Sequence, residues 1–128
     1  MTEVRVVDAS ALAALLFGEP EAESVAGRLQ GGRFFAPTLL GFELANVCAL
    51  KCRRHPEQRL AILKAFKLRA RLEVEEVRVD HDAVAALALD SDLTAYDASY
   101  LWLSRQLGAE LVTLDVQLAR AALSEPRR

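Results

Sequence analysis

Two kinds of apolar pattern alternate along the chain. Val4-Arg5-Val6-Val7, Phe34-Phe35-Ala36 and Leu111-Val112-Thr113-Leu114 are brief runs rich in β-branched or aromatic residues, and Val74, Val77 and Val79 form a fourth such set. They read as short strands buried in a sheet. Between them the apolar residues recur at helical spacing. Ser10 would cap a helix from Ala11 to Phe17, which Gly18-Glu19-Pro20 stops. Pro20 would open a second helix, with Glu21 and Glu23 in its first turn and Gly31-Gly32 closing it. From Thr38, a plausible N-cap, to Arg54 a stripe of Leu40, Leu44, Val47 and Cys48 marks a third helix. His55-Pro56 breaks it, and Pro56 starts another that runs to about Leu72. Asp80 would cap a helix through Leu89. Thr94 introduces one from Ala95 to Leu107 that Gly108 ends, and Val116 to Leu123 forms the last. The tail Glu125-Pro126-Arg127-Arg128 is expected to fray.

Strands that alternate with helices predict an α/β fold with a parallel sheet and helices on both sides. Residues 1–128 contain no repeat, linker or low-complexity stretch, so one domain is expected. Ligand sites in such sheets lie beyond the carboxyl ends of the strands. Asp8 and Asp115 follow the first and last predicted strands, at just that place.

Two more acids interrupt apolar helical stretches. Glu43 sits between Leu39-Leu40-Gly41-Phe42 and Leu44-Ala45, where a charge facing the core would be costly without a partner. Asp97 lies in the first turns of its helix, within Ala95-Tyr96-Asp97-Ala98-Ser99-Tyr100-Leu101. Each has a plainer role open to it. Asp8 and Asp115 fit as N-caps, and Asp97 is favoured by its helix terminus. Together, four acids from four segments around one sheet edge would repel unless a cation sat among them. Oxygen ligands without matching His or Cys suit Mg²⁺ or Mn²⁺ rather than zinc. His55 and His81, in a predicted loop and at a helix start, have no partner at ligand spacing and read as surface residues.

Charge sharpens this picture. The chain carries −2 overall, yet Lys51, Arg53, Arg54, Arg59, Lys64, Lys67, Arg69 and Arg71 face only Glu57 in their segment, a net +7 that leaves −9 elsewhere. A basic strip beside an acidic body suits phosphate binding, although a solvated helix face gives the same pattern. Apolar residues at 52% support a packed core without a disulfide framework. Cys48 and Cys52, four apart on one helix, read as reduced thiols. The opening Met-Thr-Glu-Val-Arg lacks a secretory pattern, and no apolar run reaches the roughly 20 residues that span a bilayer. A soluble cytoplasmic protein, away from membranes, is expected.

With these residues assembled, the chain resembles the PIN-domain family, and within it the VapC-type toxins of bacterial toxin–antitoxin pairs. The likeness lies in Val6-Val7-Asp8-Ala9-Ser10, Phe42-Glu43-Leu44-Ala45-Asn46-Val47, Leu93-Thr94-Ala95-Tyr96-Asp97-Ala98-Ser99-Tyr100-Leu101 and Leu111-Val112-Thr113-Leu114-Asp115. Their order and spacing carry it over nearly the whole length. The resemblance implies a three-layer α/β/α sandwich with a short central parallel sheet (PIN-like). It also implies metal-dependent endoribonuclease activity at an acidic cluster of Asp8, Glu43, Asp97 and Asp115, holding one or two Mg²⁺ or Mn²⁺ ions. Asp8 and Asp97 would be direct ligands, Glu43 a ligand or an acid acting through water, and Asp115 a more peripheral one. Ser10, Asn46 and Thr113 match supporting polar positions, and Asn46 fits equally well as a helix residue bonded locally. Lys51, Arg53, Arg54, Lys64 and Lys67 are candidates for the RNA backbone. An antitoxin partner and a homodimer follow from the same likeness, with Glu21–Leu29 and Leu39–Leu50 as contact surfaces unless their apolar faces are used by the core. Trp102 departs from the family, which tends to have small residues there, and core packing is its expected role.

Three rivals differ in kind. An aspartyl phosphatase using Asp8 would want a second aspartate where Ser10 stands. A phospho-receiver would want a late lysine, and none follows Lys67. A non-catalytic binding module would need no complete acidic quartet.

Overall fold

In residues 3–124, which the computed structural model describes, the backbone runs as four parallel strands and seven helices. The order is β1 (Glu3–Val7), α1 (Ala9–Leu16), α2 (Ala22–Leu29), β2 (Gly32–Pro37), α3 (Leu40–Arg54), α4 (Arg59–Lys67), β3 (Val74–Val77), α5 (His81–Ser91), α6 (Ala95–Leu107), β4 (Glu110–Val112) and α7 (Val116–Leu123). Short 3₁₀ turns, Pro56–Gln58 and Leu68–Leu72, flank α4. Across the sheet the strands lie β3-β2-β1-β4, all parallel, with Val6 beside Phe35 on one side and Leu111 on the other. The chain moves outward through β1, β2 and β3 and then returns to add β4 on the far side of β1. The order therefore reverses between β1 and β4, where a crevice forms at the carboxyl ends.

Successive strand residues point to opposite faces of a sheet. Val6 and Val7 are both wholly buried, and Leu111 and Val112 nearly so, so helices cover both faces. This is the expected α/β/α sandwich. One cover is α6, which packs on β1, β2 and β4 through Tyr100, Leu101 and Leu103. Each fully buried Val or Leu contributes about 1.5–3 kcal/mol, which suffices to hold strands this short. Among the described residues no helix is long and apolar enough to cross a membrane.

Several helix boundaries differ from expectation, each for a local reason. Asp8 and not Ser10 caps α1, accepting from the Ala11 N–H at 3.0 Å, and the helix accordingly starts at Ala9. Thr38 caps nothing. Its N–H continues the sheet by donating to the Val77 carbonyl, and α3 begins at Leu40 without a side-chain cap. Pro20 lies in a turn and α2 begins only at Ala22. The helix expected from Pro56 to Leu72 is divided, because the chain must bend to enter β3. Glu73 makes that bend in the left-handed region at φ 51°. The Asp80 and Thr94 caps and the Gly108 stop, at φ 59°, stand as expected. The tail 125–128 lies outside the described residues.

Candidate active site

Asp8 leaves β1 at the crevice, and the fold surrounds its carboxylate with donors. Oδ1 accepts from the Ser10 hydroxyl at 2.7 Å and from the Ala11 N–H at 3.0 Å, and Oδ2 accepts from the Thr113 hydroxyl at 2.5 Å. Those hydroxyls are held in turn by the neighbouring strand end. Ser10 Oγ accepts the Leu114 N–H at 2.9 Å, and Thr113 Oγ1 accepts the Asp115 N–H at 3.0 Å. Residues 114 and 115 thus give their backbone donors to side chains, which is why β4 stops at Val112. Only 5% of Asp8 is exposed.

Glu43 comes from the first turn of α3 and Asp97 from that of α6. The wholly buried Tyr100, one turn past Asp97, donates its hydroxyl to Glu43 Oε1 at 2.6 Å and so ties the two helices together. Thr94 caps α6 through the Asp97 N–H at 3.1 Å. Asp115 caps α7 through the Leu118 N–H at 2.8 Å and is exposed. Both readings of Asp8 and Asp115 hold at once, since each is a cap and also a carboxylate at the crevice.

The electrostatics follow from this gathering. Burial raises the Asp8 carboxyl above its usual range against three lowering hydrogen bonds, and Asp115 pushes it further. Burial also raises Glu43, the Tyr100 hydrogen bond opposes this, and Asp97 and Asp8 add to the rise. Asp97 is raised by burial and by the charges of Asp115 and Asp8. The Tyr100 phenol, buried against Glu43, is pushed far up and stays a donor. Among the described residues none of the four acids is in an ion pair with a Lys or Arg. Mutual repulsion without a counter-charge is the condition a cation would relieve.

The donor chemistry fits a hard divalent ion. A carboxylate offers about four lone-pair sites. Asp8 uses three in the bonds above, which leaves one on Oδ2, while Glu43 Oε2 and Asp115 Oδ2 accept no protein hydrogen bond among the described residues. No three His, Cys, Asp or Glu side chains there already converge to hold an ion. The quartet is an open acidic rim, and it lacks a ready-made cage.

Other candidate residues fall in different places. Ser10 and Thr113, which the resemblance placed beside the acids, both hydrogen-bond Asp8. Asn46 is exposed one turn along α3 from Glu43. Lys51 turns inward to pair with Glu19 and lies 5.6 Å from the Phe17 ring centre. Arg53 and Arg54 are exposed at the far end of α3, and Lys64 and Lys67 are exposed on α4. At 1.5 Å per residue, Arg53 stands about 15 Å along the helix from Glu43, whereas α4 packs back along α3 and brings Lys67 and Arg69 to a cavity shared with Leu40, Gly41 and Leu44. His55 and His81 are exposed, the two cysteines are free thiols, and Trp102 packs partly buried against the core. Tyr100 had no assigned role in the sequence. The available signal was a tyrosine on the buried face of a helix, whose hydroxyl must find a partner.

The chain is similar to known proteins in sequence and in fold. A family model described as the PIN domain matches residues 5–123. Ribonuclease VapC3 of Pyrobaculum aerophilum is 35% identical over 125 residues, spanning 89% of this chain and 91% of that protein. The crystal structure of PAE2754, also from Pyrobaculum aerophilum, superposes with a TM-score of 0.76 at 25% identity over 96% of this chain and 89% of that one.

Proposed function

The chain belongs to the PIN-domain family, and from that premise we propose that it is a metal-dependent endoribonuclease, the toxin of a toxin–antitoxin pair. The observation that carries this reading is the set of Asp8, Glu43, Asp97 and Asp115 at one crevice, the first three with carboxyls raised by burial and by neighbouring acids, and none paired with a Lys or Arg among the described residues. The ribonuclease name of its relative supports the same substrate. Asp8, with both oxygens occupied by donors, is poorly placed to attack phosphorus itself, which speaks against the aspartyl-phosphatase reading.

Asp8 and Asp97 would hold Mg²⁺ or Mn²⁺, with Glu43 and Asp115 beside them. Such an ion, when bound, lowers the pKa of water and offsets charge on a phosphodiester. The Ser10 and Thr113 hydroxyls fix the plane of the Asp8 carboxylate so that its remaining lone pair points one way. Tyr100 holds Glu43 Oε1 and leaves Oε2 to accept a proton from, or orient, the attacking water. Arg53 and Arg54, with Lys64 and Lys67, would meet RNA phosphates beyond the crevice, with Lys51 nearer the body. On the same family reading the protein works in the cytoplasm as a homodimer and is silenced by a cognate antitoxin.

The test is cleavage of end-labelled tRNA, ribosomal and messenger RNAs with Mg²⁺ or Mn²⁺, with EDTA, and with Asp8→Asn protein. Cutting that disappears in both controls is the expected result. Failure of well-folded, antitoxin-free protein to cut any of them would overturn the proposal.

A further inference from the structure

Two aromatic rings stand in solvent beside the acidic crevice, each immediately preceding one of its carboxylates. Phe42, next to Glu43, is 86% exposed, and Tyr96, next to Asp97, is 66% exposed. Among the described residues these are the two exposed aromatic side chains, and each adjoins an acid of the crevice. Their helices are coupled at this point by the Tyr100–Glu43 hydrogen bond of 2.6 Å, which brings the first turns that carry the two rings together.

Their placement follows from helix geometry. Tyr96 lies four residues before Tyr100 and therefore on the same face of α6, the face turned toward Glu43. Tyr100 is buried there, and Tyr96, in the first turn of α6, is exposed. Phe42 begins an outward stripe on α3 that continues through the exposed Asn46 to the exposed Arg53, opposite the stripe of Leu40, Leu44 and Cys48 that enters the core. The stripe joins the acidic rim to the basic end of the helix. A stacking ring, an amide and a guanidinium in that order match a single nucleic-acid strand, which presents a base face and then phosphate charge.

We infer that Phe42 and Tyr96 stack on unpaired RNA bases on either side of the phosphodiester to be cut, and so select single-stranded or looped RNA. The inference rests on the ribonuclease reading for its substrate. Paired bases offer no free face to these rings, while unstacked bases in loops do. The acids repel phosphate, and Arg53, the cation of this stripe, is about 15 Å along α3 from Glu43, so stacking adds grip beside the acids.

The experiment compares wild type with Phe42→Ala, Tyr96→Ala and the ring-preserving Phe42→Trp and Tyr96→Phe. All four changes are at exposed positions and leave folding intact. Binding is read by quenching of 2-aminopurine in a short single-stranded RNA, with Asp8→Asn as background, and cleavage by kcat and KM on the same RNA and on its duplex. Each alanine should weaken binding of the single strand about 5- to 150-fold, with the loss in KM, while the ring-preserving variants retain it. Cleavage and binding that survive both alanines unchanged would overturn the inference and leave the nuclease standing. The rings would then belong to a protein contact, seen as a shift in oligomeric state. Ring-dependent binding with no cleavage would sustain the inference and overturn the nuclease, and wild type that neither binds nor cuts would overturn both.

Discussion

The two ends of the sheet treat charge in opposite ways. Toward the amino end Glu3, Glu75 and Glu110 each have an arginine. Glu3 accepts from Arg5 at 2.7 Å, Glu110 from Arg28 at 3.1 Å, and Glu75 lies 3.7 Å from Arg33. At the carboxyl end Asp8, Glu43, Asp97 and Asp115 meet with no such partner among the described residues. Exposed pairs like those of the amino end settle surface charge with little net gain. The carboxyl end instead makes three acids harder to ionise, even though Asp8 and Asp115 cap helices and Glu43 accepts from Tyr100. Perturbed carboxyls confined to one rim of a well-packed sheet make that rim the candidate site.

The contrast breaks most visibly at Asp8. Asp8→Asn should lower RNA cleavage about 10²–10³-fold, the scale on which positioned charge in a site acts. Its Tm should hold or rise, because asparagine still caps α1 and one repelling charge is gone. A Tm that fell with the activity would make Asp8 a residue of the fold alone.

Metal should separate the two ends next. Mg²⁺ or Mn²⁺ at a hundredfold excess over its Kd should stabilise the protein by about 2.7 kcal/mol, reversed by EDTA in a thermal melt. The raised carboxyls of Asp8, Glu43 and Asp97 set the sign with pH. Their folded pKa values exceed the unfolded ones, so their ionisation costs stability. That cost is absent below roughly pH 4 and grows as pH rises through the folded values. Metal-free protein should therefore lose Tm on this account from pH 4 toward neutrality, and metal should restore it there and hardly at all in acid. A Tm gain of equal size at both pH values would place the ion elsewhere.

Tyr100→Phe refines the site. The lost hydrogen bond had been holding the Glu43 pKa down, so the acid limb of the pH–rate profile should move to higher pH. Activity at neutral pH should fall about tenfold, in keeping with a charged hydrogen bond of about 1.5 kcal/mol. An unmoved acid limb would remove Glu43 from the chemistry.

At the amino end the effects should be on stability alone. A Cβ at Gly32 would stand 2.2 Å from Arg5 Nη1 and 3.3 Å from the Glu3 carbonyl, so Gly32→Ala must displace the guanidinium. A loss of about 1 kcal/mol with unchanged cleavage is expected from chemical denaturation and kinetics together. Glu110→Gln, half exposed and therefore screened, should cost less than about 1 kcal/mol and leave activity alone. Lost cleavage in either variant would mean the two ends are not independent.

The sequence by itself determined the strands, because Val6-Val7 and Leu111-Val112 are apolar on successive positions and such runs survive only inside a sheet covered on both sides. It determined α6 and α7 to the residue, since Thr94, Gly108 and Asp115 act through their own backbone neighbours. It also marked all four acids, since charges inside apolar stretches and at strand ends stand out in one dimension. Tertiary structure decided the rest. Which residue capped α1 depended on Thr113 and Leu114 arriving from β4 to occupy Ser10, a contact 103 residues distant in the chain. That Tyr100 serves Glu43 depended on how α3 and α6 meet. Where the basic segment lies was decided by the length of α3, which carries Arg53 away from Glu43, and by the packing of α4 back along it, which returns Lys67 and Arg69 toward Leu40 and Leu44. Local rules are written in neighbouring residues, whereas a site is made where distant segments meet, and only the packed sheet brings these together.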